Sequence, residues 1–210
     1  MSINRIALLG IDGSGKSTMS KLIKQHLERY GYSVTIVPFH KWVIADKLRN
    51  VFGRYIDKDR ESRNKQYTPP PKSLSAIIKP PVAFIDNLIF YRINSPKQKK
   101  DVYIYDRFIC ATQIKFFGLG YSNKWFKKMW WSIKPDYAIV FDVNVDESVK
   151  RQLSRNDPYA YTQEILINEK KLYIEYAEYH NFPIIQSKDV ETTKKSVLKI
   201  INELFNISDN

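Results

Sequence analysis

The stretch Gly-Ile-Asp-Gly-Ser-Gly-Lys-Ser at residues 10–17 decides the fold, because it completes the pattern G-x-x-x-x-G-K-[ST]. The apolar run at 6–9 precedes it and is typical of a buried strand. Apolar residues at helical spacing over 18–30 follow it, and Gly31 ends that pattern. Strand, glycine-rich loop and helix together direct backbone N–H groups at a phosphate. The sequence therefore predicts a P-loop that binds a nucleoside triphosphate.

The residues of this loop are candidates for binding the nucleotide and for supporting phosphoryl transfer. The ammonium group of Lys16 is placed to reach the β- and γ-phosphates, and the hydroxyl of Ser17 is placed to bind Mg²⁺. We expect Lys16 to be exposed, because it lies in a loop. The predicted nucleotide-binding residues are Gly10, Asp12, Gly13, Ser14, Gly15, Lys16, Ser17 and Thr18.

The composition is that of an ordinary globular protein. The chain has 210 residues, which predicts one domain over 1–210, and 43% of them are hydrophobic. Its one cysteine, Cys110, excludes an internal disulfide and fits a reducing compartment. The first residues lack a secretory pattern, and no apolar run approaches the ~18–20 residues of a membrane span. We therefore expect a cytoplasmic protein.

The formal net charge of +12 is concentrated in one segment. Between positions 41 and 100, 14 Lys and Arg residues stand against 5 Asp and Glu residues. Proline clusters at 69–71 and 80–81 predict irregular backbone over 41–81. The charge is either a solvated surface or a face for an anionic acceptor, a nucleic acid or an anionic membrane surface. We expect residues 41–100 to form an acceptor-side segment.

The rest of the chain alternates short apolar strands with helices. This order is typical of a parallel sheet that is buried on both faces. We therefore predict an α/β fold of the P-loop NTPase class, a five-stranded parallel sheet flanked by helices on both faces. After the first strand, strands are predicted at 33–38, 102–105, 137–143 and 183–185, and helices at 82–93, 108–117, 122–133, 145–154, 163–180 and 192–205.

Asp106 and Arg107 directly follow the predicted strand at 102–105. Ligands of an open parallel sheet bind at the carboxyl ends of its strands, so we expect this pair beside Lys16. A carboxylate there can hold Mg²⁺ or orient an attacking oxygen, and an arginine can bind an anionic acceptor with two hydrogen bonds. An ion pair in a turn is the alternative interpretation. We predict both residues to be catalytic, with Asp106 and Ser17 as the magnesium ligands.

Three strings occur in the order and rough spacing of one family. They are residues 10–18, the Tyr-Asp-Arg-Phe of 105–108 and the Lys-Pro-Asp-Tyr-Ala-Ile-Val-Phe-Asp-Val of 134–143. Through them the chain resembles thymidylate kinase. The resemblance implies five parallel strands, often a homodimer, and transfer of a phosphoryl group from ATP to a nucleoside monophosphate, with dTMP first. It also implies that Asp12 lies near the acceptor sugar and that Arg107 binds the acceptor phosphate.

Arg151 and Arg155 follow the predicted strand at 137–143 and stand four residues apart, on one helix face. They are similar to the arginines of the family's lid region, here 151–162, which cover the transferring phosphate or lie near adenine. An arginine in that role is worth ~10³-fold or more in rate. Two solvated helix arginines are the alternative. We predict that both are catalytic, and that Asp142 is a second candidate for the metal shell.

The acceptor half of the chain departs from the family. The family has an Arg-Glu-Pro element after its second strand, and this chain has the Pro-Phe-His of 38–40 there. Where the family has an Ala-Tyr-Gln run that contacts thymine, this chain has the Gln-Ile-Lys-Phe of 113–116, so the base-reading glutamine is missing. A site without polar groups for a base leaves the hydrogen-bonding edge of that base unpaired on burial. These departures predict that dTMP is a poor substrate.

Two other functions remain open from the sequence. One is a kinase for another small-molecule acceptor, and the other is a nucleotide-dependent protein that binds nucleic acid or a membrane surface through 41–100. A guanine-specific switch is not indicated, because the Asn-Lys-Trp-Phe of 123–126 fails the N-K-x-D pattern. The Asp106–Arg107 pair and the two lid arginines favour phosphoryl transfer, since a binding module does not need them.

Overall fold

The computed structural model describes residues 3–38, 74–98, 101–118, 127–154 and 162–207, in which a five-stranded parallel sheet carries helices on both faces. The elements are β1 Arg5–Leu9, α1 Lys16–Arg29, β2 Ser33–Val37, α2 Leu74–Ile93, β3 Asp101–Asp106, α3 Ile109–Gly118, α4 Lys127–Ser132, β4 Tyr137–Asp142, α5 Val145–Ser154, α6 Gln163–His180, β5 Ile184–Gln186 and α7 Val190–Phe205. No helix within these ranges is both long and apolar enough to cross a bilayer.

The strand order places β1 at the centre of the sheet. The order is β2-β3-β1-β4-β5, and every neighbouring pair is parallel. The carboxyl ends of β3, β1 and β4 therefore meet at one edge, where the P-loop leaves β1. This topology confirms the predicted fold class. The acceptor-side segment 41–100 and the lid 151–162 stay predictions, because residues 39–73, 99–100 and 155–161 lie outside the described part.

The two faces of β1 belong to two different hydrophobic cores, because side chains alternate along a strand. Ala7 and Leu9 pack with buried residues of α2, α3, α4 and α6. Ile6 and Leu8 pack on the opposite face with buried residues of α1 and α7. The central strand is thus buried on both sides, which fixes the point at which the P-loop begins.

The helix α2 corrects the prediction of irregular backbone up to residue 81. It spans Leu74–Ile93 and contains Pro80 and Pro81 in its interior. Proline lacks an N–H donor, but its φ angle fits a helix. The residues after the prolines bury Ala83, Phe84 and Tyr91 against the core. We attribute the helix to this packing, which offsets the lost hydrogen bonds.

A carboxyl group is buried between α3 and α6. Glu169 of α6 has no exposed surface, and neither of its carboxyl oxygens has a hydrogen-bond partner in the structure of the described residues. The group packs closely on the backbone of Gly118, where an added Cβ atom would lie 2.7 Å from the Cγ atom of Glu169. A buried polar group without a hydrogen bond costs about 1–3 kcal/mol in proteins.

We expect Glu169→Leu to stabilise the protein, because it removes this cost at similar side-chain volume. One kcal/mol corresponds to ~2–4 °C in a chain of this size, so Tm should rise by ~2 °C or more in calorimetry. The control is Glu178→Leu, which changes an exposed glutamate of the same helix and should leave Tm nearly unchanged. A lower Tm for Glu169→Leu would mean that this carboxyl group contributes to stability.

Candidate nucleotide-binding site

The P-loop turns tightly against the ends of two strands. Gly10 has a φ of 139°, and a Cβ atom added there would lie 2.6 Å from the carbonyl oxygen of Phe141 in β4. The approach to β4 therefore requires glycine at this position. The N–H groups of Thr18 and Met19 both donate to the carbonyl of Gly15, at 3.1 Å, and so begin α1. The first N–H groups of this helix point into the loop, the arrangement that binds phosphate.

Lys16 is buried, contrary to our expectation for a loop lysine. Lys16 is only 5% exposed. Its Nζ atom donates to the carbonyl of Ile11 at 2.7 Å and to the hydroxyl of Ser14 at 3.1 Å. The curvature of the loop brings these acceptors to the ammonium group, which explains the burial. The side chain is thereby held inside the concave loop, where a phosphate would bind.

Ser17 and Asp106 meet across the end of the sheet. The hydroxyl of Ser17 donates to Oδ2 of Asp106 at 2.6 Å, although 89 positions separate the two residues. The predicted pair of magnesium ligands is therefore brought together. Mg²⁺ prefers oxygen ligands and is usually bound by one or two carboxylates with substrate phosphates and water. Within the described ranges no group of three or more His, Cys, Asp and Glu side chains is placed to hold a metal ion by itself.

Arg107 has a strained backbone and a buried side chain. Its φ is 79°, a left-handed value that costs a non-glycine residue roughly 1–2 kcal/mol. The residue is 6% exposed. Its N–H donates to the carbonyl of Leu8 at 3.0 Å, and its carbonyl accepts a hydrogen bond from the hydroxyl of Tyr91, also at 3.0 Å. These bonds on either side of the residue hold the unusual conformation in place.

The side chain of Arg107 is directed at the P-loop. Its guanidinium group donates to Oδ1 of Asp12, and the Nζ atom of Lys115 lies 3.1 Å from the other carboxylate oxygen. Burial raises the pKa of the Tyr173 hydroxyl, and the positive charge of Arg107 acts in the opposite direction. One P-loop carboxylate is therefore shared by two cations, and a protonated phenol of α6 lies within electrostatic range of Arg107.

The opposite flank of the P-loop is bonded to the elements that follow β4 and β5. Arg151 of α5 donates to the carbonyl of Gly13 at 3.1 Å and to that of Lys188 at 3.3 Å. Ser148, one turn earlier, donates to the carbonyl of Asp12. Ser187, directly after β5, donates to the carbonyl of Ser14 at 3.0 Å. Hydrogen bonds from two elements thus fix the backbone of the loop on this flank.

The structure thus gathers most of the predicted site residues around one loop. Arg151 contacts the loop, whereas Arg155 lies outside the described residues. Asp142 is engaged within the fold, since its carboxylate pairs with Lys170 at 2.5 Å and accepts from the amide of Gln186 at 2.8 Å. The residues Ser148, Ser187 and Lys115 were absent from the predicted site. No motif marks Ser148 or Ser187, and Lys115 was marked only as part of the departing run at 113–116, because each of the three meets the loop only through the fold.

The relatives that match this chain in sequence and in structure are thymidylate kinases. The thymidylate kinase family model matches residues 9–197. The probable thymidylate kinase of Sulfurisphaera tokodaii is 28% identical over 197 residues, covering 91% of this chain and 93% of the relative. The thymidylate kinase of Mycoplasma capricolum is 27% identical over 223 residues, covering 94% of both chains. The crystal structure of thymidylate kinase from Ehrlichia chaffeensis superposes with a TM-score of 0.58 at 18% identity, covering 96% of this chain and all of the other, and so supports the fold.

The fold and the loop are those of the P-loop NTPase class. The chain belongs to the thymidylate kinase family. It is a nucleoside monophosphate kinase of nucleotide biosynthesis, which binds ATP as phosphate donor and a nucleoside monophosphate as acceptor. The family assignment favours this enzyme over the two functions that the sequence left open, a kinase for another acceptor and a nucleotide-dependent binding protein.

Proposed function

We propose that this protein is a thymidylate kinase, which transfers the γ-phosphoryl group of ATP to dTMP and releases ADP and dTDP. The observation that carries the proposal is the bond between buried Arg107 and the P-loop residue Asp12, in a chain of this family. An arginine held at the end of the strand next to the P-loop can bind the phosphate of an acceptor and leave its attacking oxygen near the triphosphate.

The chemistry that we assign to these residues is positioning and charge stabilisation. An oxygen of the acceptor phosphate attacks the γ-phosphorus, and the bond from that phosphorus to the β,γ-bridging oxygen breaks. When the triphosphate binds, Lys16 gives up its hydrogen bonds to Ile11 and Ser14 and forms hydrogen bonds to phosphate oxygens instead. Arg151 and Arg155 stabilise the charge of the transferring group from the donor side. Ser17 and Asp106 fit the oxygen-ligand preference of Mg²⁺, which when bound would neutralise charge on the triphosphate.

The choice of dTMP goes against our expectation from the departures at 38–40 and 113–116. Membership of the thymidylate kinase family, with several relatives named for that activity, favours dTMP as acceptor. Phe39 and His40 lie outside the described residues. Lys115, within the second departure, bonds to Asp12 and therefore belongs to the site. A polar side chain thus remains at the acceptor side.

A comparison of acceptors tests the proposal. Release of ADP should be measured with dTMP, dUMP, UMP, CMP and thymidine, each at several concentrations. We expect dTMP to give the highest kcat/KM, ~10⁴ M⁻¹s⁻¹ or more, which is the ordinary range for enzymes. A clear preference for another compound, or transfer to thymidine itself, would contradict the proposal.

Two further assignments accompany this function. We place the enzyme in the cytoplasm, in keeping with a chain that has a single cysteine and so cannot form an internal disulfide. We also expect a homodimer. The exposed side chains of Ile85 and Ile93, on α2, offer an apolar face for a second copy. Light scattering on the purified chain measures its molar mass and decides between monomer and dimer.

A further inference from the structure

The two flanks of the P-loop differ in which groups of the loop their side chains bond to. On the flank of β4 and β5, side chains such as Arg151 and Ser187 bond to carbonyl groups of the loop backbone. On the flank of β3, Arg107 and Lys115 bond instead to a side chain of the loop, the carboxylate of Asp12. Transfer in line requires donor and acceptor on opposite sides of the phosphoryl group. Because the proposed function gives Arg107 the phosphate of the acceptor, the cations of the β3 flank lie on the acceptor side in that assignment.

Lys115 is held tightly at this flank. It lies on α3, its side chain is 16% exposed, and its Nζ atom is 3.1 Å from Oδ2 of Asp12. Arg107 is bonded to Oδ1 of the same carboxylate. The three side chains together carry one more positive than negative charge. Since they are largely shielded from water, this excess acts more strongly on a bound anion than it would at the surface.

We infer that Lys115 is a specificity-determining residue, which binds the phosphate of the acceptor together with Arg107. The inference rests on the proposed function. A phosphate monoester carries a charge of about −2 at neutral pH. Its charge therefore balances the two cations more fully than the single negative charge of Asp12 does. Asp12 holds both cations at the site before the acceptor arrives, so that little side-chain freedom is lost when the phosphate binds.

Binding of dTMP and of thymidine, which lacks the phosphate, separates this role from a structural one. Both compounds should be titrated into the full chain by calorimetry. We expect Lys115→Met to weaken the affinity for dTMP by ~10-fold or more and to leave the affinity for thymidine unchanged. Only the phosphate of dTMP loses a charge-assisted hydrogen bond in this variant. Lys115→Arg should retain most of the affinity for dTMP. In steady-state kinetics Lys115→Met should raise KM for dTMP with little change in KM for ATP.

Lys24→Met is the matched control. Lys24 of α1 pairs with Glu28 at the same 3.1 Å distance, but it lies within the helix and away from the P-loop. This variant should bind both compounds as the wild type does. Melting curves verify that each variant is folded, and Lys115→Gln replaces Lys115→Met if the apolar side chain prevents folding.

Three results would overturn the inference: unchanged affinity for dTMP in the folded variant, an equal loss for dTMP and thymidine, or a wild type that does not bind dTMP. Failure of the proposed function gives a different result. A wild type that binds dTMP but does not phosphorylate it would remove the proposed activity, while the difference between dTMP and thymidine would still support Lys115 as a phosphate ligand.

Discussion

Lys16→Met is expected to lower kcat for ADP release by ~10³-fold or more, because it removes a positive charge from the place where the triphosphate binds. Methionine keeps an unbranched stem of similar length. The stem matters, since Lys16 is buried inside the loop and bonds to the carbonyl of Ile11 and the hydroxyl of Ser14. A coupled assay with ATP and dTMP measures the effect.

The control for this variant is Lys21→Met, which removes the same charge from an exposed position of the same helix. We expect this control to retain full activity, because the lysine is exposed and outside the site. A Lys16→Met enzyme that is folded and within ~10-fold of wild-type kcat would show that the P-loop lysine does not act on the transferred group.

Arg107→Ala should lower kcat/KM for dTMP by at least ~10²-fold, with little change in KM for ATP. The variant removes the guanidinium group that bonds to Asp12 on the acceptor side. Arg107→Gly should lose activity to the same extent, since it lacks the same group. A loss of ATP affinity with unchanged use of dTMP would instead place Arg107 on the donor side.

The two Arg107 variants also test the strain in the backbone. Glycine adopts the observed φ of 79° freely, whereas alanine bears a steric cost there. We expect Arg107→Gly to be more stable than Arg107→Ala by up to about 1 kcal/mol in urea unfolding, since the penalty exceeds the extra entropy that glycine loses. Equal stabilities would mean that the left-handed conformation relaxes once the side chain is removed.

The central part of the fold could be predicted from local sequence. The apolar run at 6–9, the pattern at 10–17 and the helical spacing that follows specify a strand, a phosphate loop and a helix without any long-range information. The later part of helix α2 was predicted, at 82–93, but its first turns over 74–81 were not. Pro80 and Pro81 read locally as helix breakers, and only the burial of the residues after them accounts for the helix.

The site could be predicted in part for a similar reason. Asp106 and Arg107 were identified because the end of a parallel strand is a defined place in the fold. Lys115 carries no such mark, and Ser187 follows the short strand β5 without belonging to a motif. Their partners in the P-loop lie 103 and 173 positions away. The environment of Lys16 also depends on the closed shape of the loop. Sequence patterns thus predicted where the site lies, whereas several of its contacts required the fold.

The hydrogen bonds from Arg151, Ser148 and Ser187 to the loop backbone have a thermodynamic consequence for nucleotide affinity. A loop that must become ordered around its ligand gives up conformational entropy at the moment of binding, and that loss weakens the complex. Here the loop loses its freedom when the chain folds. A triphosphate then meets amide groups that already point the right way, so that more of the contact energy is retained as affinity and less is consumed in rearrangement.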